Sequence, residues 1–162
     1  MDHLWSPWRY QYVSKAAEPD QGGCVFCEKA AENRDAENYI VHRARLNFVI
    51  LNLYPYTSGH LMVVPYEHVA TLNEARPETL AEMMELTRRA EHALEALYRP
   101  HGFNAGMNIG EAAGAGVAGH IHMHVLPRWR GDANFMSVIG ETRVLPEALD
   151  ETWRRLVRAF EA

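Results

Sequence analysis

The chain of 162 residues is long enough for one domain with its own core and too short for two comfortable ones. Hydrophobic residues at 48% and charged residues at 23% exclude a disordered or low-complexity protein. A net charge of −5 argues against a general nucleic-acid binder, but leaves room for a small nucleotide in a local pocket. The opening "MDHLWSPWRYQYV" lacks the uninterrupted apolar core of a signal peptide, and no run approaches membrane-spanning length. Two cysteines are too few for a disulfide framework. The expectation is a cytoplasmic protein with neither membrane nor nucleic acid as partner.

In chain order, residues 1–23 read as an aromatic arm carrying Trp5, Trp8, Tyr10 and Tyr12, ending in a loop with Pro19, Gly22 and Gly23. Residues 24–162 read as a single domain. It opens on "CVFC" and a polar segment, "EKAAENRDAEN" (28–38), expected to be helical. Strands are expected at "YIVH" (39–42), "NFVILNL" (47–53) and, after the turn "YPYTSG", "HLMVVPY" (60–66). Leu80, Met83, Thr87, Ala90, Leu94 and Leu97 recur at steps of three and four, which predicts a central helix with Pro77 in its first turn. "FNAGMNIG" (103–110) reads as a strand, followed by the glycine-rich "GEAAGAGVAG" (110–119) and a histidine-bearing strand. A last amphipathic helix carries Leu149, Trp153, Leu156 and Phe160, with Pro146 near its start. The sum is an α+β fold: a mostly antiparallel sheet of about five strands, with helices on one side.

The stretch "GHIHMHVLP" (119–127) carries the chemistry. Strand alternation gives Ile121, Met123 and Val125 one face and His120, His122 and His124 the other, roughly 6.5–7 Å apart at the backbone. Folding gains nothing from such a row, because each buried imidazole needs a hydrogen-bond partner. Three readings stand. The imidazoles can be structural and satisfied. A His-x-His pair can hold a catalytic metal, though such sites usually add carboxylates, and only Glu111 lies between Asn104 and Arg130. Or a neutral imidazole, its tautomer fixed by its neighbours, can attack phosphorus. The preceding glycine-rich loop favours phosphate chemistry, since small residues let backbone N–H groups approach an anion. Arg128 and Arg130 could add positive charge. The "CVFC" pair is a redox dithiol, two idle buried cysteines, or half of a tetrahedral zinc site completed by His68 and His120. The flanking pattern does not fit a thioredoxin-like unit, and the zinc reading is preferred.

"HIHMHVLPRW" follows the His-x-His-x-His-x-x pattern, with apolar x, and resembles the histidine-triad (HIT) superfamily of nucleotide hydrolases and nucleotidyl transferases. "NFVILNLYPYTSGHLMVVPYEHV", "PHGFNAGMNIG" and "PRWRGDANFM" resemble its dinucleoside polyphosphate branch. With the "LWSPWRYQYV" arm they look most like the diadenosine tetraphosphate phosphorylases. The resemblance implies the HIT-like fold, a homodimer, adenine nucleotides as substrate and a structural zinc ion. It implies that His122 is the nucleophile that becomes a nucleotidyl-histidine, that His124 hydrogen-bonds the α-phosphate region, and that His120 orients the nucleophile. It implies Cys24, Cys27, His68 and His120 as zinc ligands. It implies Asn52 against the ribose, His60 packed beneath the catalytic strand, and Asn108 with the loop glycines Gly114 and Gly116 around the phosphates. One departure matters. Many hydrolytic members carry Gln-Ser or Gln-Thr shortly before the first histidine, where this chain has Gly116 and Val117. That favours inorganic phosphate as the nucleotidyl acceptor over water, with hydrolysis of dinucleoside polyphosphates or nucleoside phosphoramidates as the alternative. A zinc-dependent hydrolase and a non-catalytic nucleotide-binding protein are the remaining readings.

Overall fold

The computed structural model describes residues 23–132 and 147–161. The aromatic arm (apart from Gly23) and Pro146 lie outside the described residues. In chain order the elements are α1 (Val25–Ala31), α2 (Asp35–Asn38), β1 (Ile40–Arg43), β2 (Asn47–Leu51), β3 (Leu61–Pro65), α3 (Pro77–Tyr98), β4 (Gly102–Gly106), β5 (Met123–Arg128) and α4 (Leu149–Glu161). The five strands form one sheet in the order β1-β2-β3-β5-β4, each pair antiparallel, as an α+β reading requires.

Every residue of β2 and β3 is buried, because both faces of the sheet are covered. Side chains alternate between the faces. Val49, Leu51, Leu61 and Val63 pack on Met83, Leu86, Ala90 and Leu94 of α3 and on Leu156 and Phe160 of α4. Phe48, Ile50, Met62 and Val64 form a second cluster with Phe26 of α1. The helices are therefore not confined to one side. The long apolar runs of β2 and β3 reflect this, since a strand covered on both faces has no polar face to alternate with. Pro77 opens α3, where its missing N–H costs nothing. Trp153 ties α4 to the sheet edge by donating its indole N–H to the Ile40 carbonyl at 2.9 Å.

Three local expectations are corrected. Residues 28–38 do not form one helix, because Arg43 of β1 reaches into the segment and breaks it in two. Its guanidinium donates to the carbonyls of Ala30 and Glu32, both at 2.8 Å, and to the Asp35 carboxylate. The strand expected over 103–110 stops at Gly106, and the chain turns at Gly110 with φ at +83°. The histidine strand starts only at Met123, so His124 alone of the triad lies within it. The ladder runs Leu61↔Val125, Met62↔His124, Val63↔Met123 and goes no further toward Pro65, which has no N–H to offer. Instead the His120 ring donates to the Pro65 carbonyl at 2.9 Å, and the Ile121 N–H to the Val69 carbonyl at 2.8 Å.

Gly59 closes the turn that delivers His60 to β3. Its φ is +80°, and a Cβ there would meet Leu94 Cδ2 at 2.8 Å and Tyr98 Cε2 at 3.1 Å. Gly59→Ala should destabilise the fold by at least about 1–2 kcal/mol from the left-handed backbone alone. The check is the urea unfolding midpoint, and an unchanged midpoint contradicts this account of the turn.

Candidate active site and metal cluster

His122 is 4% exposed. Its Nδ1 lies 2.9 Å from the carbonyl oxygen of His120. A carbonyl only accepts, so Nδ1 carries the ring proton and Nε2 is left with a lone pair. Burial holds the ring below the usual histidine pKa, so it stays neutral. A neutral imidazole with one nitrogen pinned and the other bare is equipped to act as a nucleophile.

His124 is ordered by a different chain. The Tyr56 N–H donates to His60 Nδ1 at 3.2 Å, which fixes the His60 proton on Nε2. His60 Nε2 lies 2.8 Å from His124 Nδ1 and donates to it. The neutral His124 ring then carries its proton on Nε2. Burial, reinforced by the adjacent His122, pushes the His124 pKa down to about 4. His124 can therefore donate a hydrogen bond beside His122, the two ring centroids being 4.8 Å apart. His60 itself is wholly buried, so its reach to any bound molecule is through His124. The Tyr56 ring covers the pair, 4.8 Å from His60 and 6.2 Å from His124.

The ring of His120 faces away from this pair. Its Nε2–H goes to Pro65, which turns the Nδ1 lone pair toward Cys24 Sγ at 3.3 Å and Cys27 Sγ at 3.6 Å. His68 Nδ1 is 3.4 Å from Cys27 Sγ. The four ligand atoms of Cys24, Cys27, His68 and His120 all lie within 4.8 Å of one another. A tetrahedron built on bonds of about 2.0–2.3 Å has edges of roughly 3.3–3.8 Å, so these residues fit a metal ion. The fixed His120 tautomer is the outer support that metal-bound imidazoles usually have.

The glycine-rich loop lies just ahead of His120. Gly110 and Gly114 take positive φ around a single 3-10 turn, Glu111–Ala113, and Asn108 Nδ2 spans it to the Gly114 carbonyl at 3.5 Å. Among the described residues, none of the amides of residues 116–119 donates to another backbone carbonyl. Such a run of amides can cradle an anion. Val117 turns its side chain into the second apolar cluster and offers the loop no hydroxyl. Asn52 accepts the Tyr54 N–H on Oδ1 at 2.9 Å, and its Nδ2 is 3.3 Å from His60 Nδ1. Arg128 is committed to Asp132 and to Asn104 Oδ1, so its charge is already met.

One neighbour of the site escaped the sequence reading. Phe26 packs against both His120 and His122, with ring centroids 5.5 and 5.1 Å away. The only signal was its place between the two cysteines of "CVFC".

Residues 33–131 match the model of the HIT domain. The chain is 42% identical to AP-4-A phosphorylase of Mycobacterium tuberculosis over 162 aligned positions, spanning 96% of this chain and 83% of that protein. The fold is similar to a Zn-bound histidine triad family protein from Mycobacterium smegmatis, with a TM-score of 0.70 and 30% identity across 86% of this chain and 94% of that one. It is similar also to a hypothetical histidine triad nucleotide-binding protein from Sulfolobus tokodaii, with a TM-score of 0.69 and 28% identity across 85% and 92% of the two chains.

The His124 environment sets a pH dependence of stability. The unfolded ring takes up its proton near pH 6.5, whereas the folded ring does so only near 4. Between those values the unfolded chain binds the extra proton, so stability falls as the pH is lowered through that window and is fully present above it. His124→Gln should flatten this decline, measured as urea midpoints at pH 7, 6 and 5. Equal slopes in the two proteins contradict the assignment, since acid loss from the cysteine–histidine cluster is common to both.

Proposed function

The chain belongs to the HIT domain family, and we propose that it cleaves dinucleoside polyphosphates, with diadenosine tetraphosphate as the substrate of choice and inorganic phosphate as the nucleotidyl acceptor. The observation that carries this reading is the 2.9 Å bond from His122 Nδ1 to the His120 carbonyl, which leaves a bare Nε2 on a buried ring. In the first step Nε2 attacks the α-phosphorus and the nucleoside polyphosphate departs. In the second, a phosphate oxygen displaces the nucleotidyl group from the ring. His124, through Nε2–H, donates to the oxygens on which charge develops. The amides of residues 116–119 line the phosphates alongside Asn108, Gly114 and Gly116, and Asn52 lies toward the ribose. One such donor typically lowers the barrier by about 3–4 kcal/mol.

Phosphorolysis is favoured over hydrolysis on a specific ground. With glycine at 116 and the apolar Val117 packed against the second cluster, neither position offers a polar side chain to hold a water. The likeness to the mycobacterial phosphorylase supports the same choice.

We assign Cys24, Cys27, His68 and His120 to a structural zinc ion, which would supply a rigid four-ligand crosslink between α1, the loop after β3 and the triad. With all four positions taken by protein atoms, it leaves no open site for substrate. The Zn-bound relative from M. smegmatis supports the metal identity.

His122→Ala should keep the fold and lose turnover; activity near wild type would refute the nucleophile. Wild-type protein given diadenosine tetraphosphate should form ADP and ATP only when phosphate is present. AMP and ATP formed without phosphate would replace phosphorolysis by hydrolysis. Protein purified without chelator should hold one zinc per chain by elemental analysis, and a metal-free result removes the zinc assignment.

A further inference from the structure

The second apolar cluster buries Ile40, Ile50, Met62 and Val64 with the rings of Phe26 and Phe48, and Tyr66 packs at its margin; of these three aromatic rings, Phe26 is the one that lies against triad imidazoles. It is 5% exposed and sits between two cysteines of the metal-ligand cluster. The His122 ring lies 5.1 Å from it, centroid to centroid, with the planes inclined at 51°. Packing explains why an apolar residue is there. It does not explain why an aromatic ring should lie against the one imidazole whose charge changes in the reaction.

The charge follows from the bonds. When the His122 Nε2 lone pair bonds to phosphorus, the P–O bond to the departing nucleotide breaks and its electron pair leaves on that oxygen. Nδ1 keeps its proton, because the His120 carbonyl continues to accept it. The ring is then substituted on both nitrogens and carries a full positive charge until an acceptor oxygen takes the phosphorus and returns the pair to Nε2. Among the described residues no carboxylate hydrogen-bonds any of the three triad rings, whose partners are His120 O, Pro65 O, His60 and the two cysteines. Among those residues the charge is therefore not met by a hydrogen-bonded carboxylate. An aromatic ring within about 6 Å attracts a cation through its quadrupole, most strongly where water is excluded.

We propose that Phe26 is a positioning residue for His122, holding the imidazole in place and stabilising the positive charge it bears while bonded to phosphorus. This rests on the nucleotidyl-histidine reading above. The test uses Phe26→Leu, which keeps apolar bulk and removes the π face, and Phe26→Tyr, which keeps the π face and adds a buried hydroxyl. Nucleotidyl-enzyme formation is followed in single-turnover, acid-quenched reactions of the metal-loaded proteins with labelled diadenosine tetraphosphate. Metal content and unfolding midpoint are measured alongside.

Phe26→Leu should slow formation of the covalent species roughly 5- to 30-fold with KM unchanged, while Phe26→Tyr stays near wild type despite a lower unfolding midpoint. Phe26→Met serves in the same role if the leucine variant does not fold. A residue that merely fills space gives the reverse order, leucine tolerated and tyrosine damaging, and that order overturns the proposal. So does a leucine variant that labels at the wild-type rate. If wild-type protein itself shows no label on His122, the underlying nucleotidyl-histidine reading has failed, a result distinct from wild-type labelling that ignores residue 26.

Discussion

One hydrogen bond organises the site: the ring N–H of His122 donating to the main-chain oxygen of His120. Without it either nitrogen could carry the proton, and a share of the rings would present N–H where a lone pair is needed. The donor and acceptor are two residues apart in an extended segment, so the bond is local and needs no distant partner. What must be secured from afar is His120 itself. Its ring is held from two sides, by the Pro65 carbonyl and by the cluster with Cys24, Cys27 and His68, and its backbone follows. A residue that contributes its side chain to one centre and its carbonyl to another couples the two mechanically.

The second ordering chain also begins at a main-chain group. The Tyr56 amide sets His60, and His60 sets His124, each step dictated by which atom can only donate or only accept. The proton positions of His60, His122 and His124 thus follow from main-chain groups and from one another. A carboxylate against His122 would favour the protonated ring and remove the lone pair near neutral pH. Burial does the opposite, and the ring of Phe26 against His122 and that of Tyr56 against His60 and His124 add no charge.

Much of this was written in the chain. The apolar runs at 47–53 and 60–66 gave the two central strands, and the three-four rhythm from Leu80 to Leu97 gave α3, because burial of these elements depends mainly on their own pattern. The donor chemistry of Cys24 and Cys27 pointed to His68 and His120, which the fold does bring together. Features set by contacts between distant segments were not readable. Arg43 splits the 28–38 segment from another strand, and Pro65 ends the ladder of β5 from the strand opposite. Phe26 was not singled out, since nothing local tells a core phenylalanine from one laid against a reactive ring. The helices were expected on one side, whereas α1, only seven residues long, covers the other face through Phe26, its sole buried residue.

The acceptor for the His122 proton belongs to the polypeptide backbone, and that has a consequence for how the site tolerates change. Every amino acid carries that oxygen. Genetic drift at position 120 can therefore erase the side chain without deleting the acceptor, and the nucleophile degrades by misalignment instead of vanishing in a single codon change. A lineage losing the cysteine–histidine cluster would keep a slower, looser version of the same apparatus, a starting point from which another anchoring residue could be recruited.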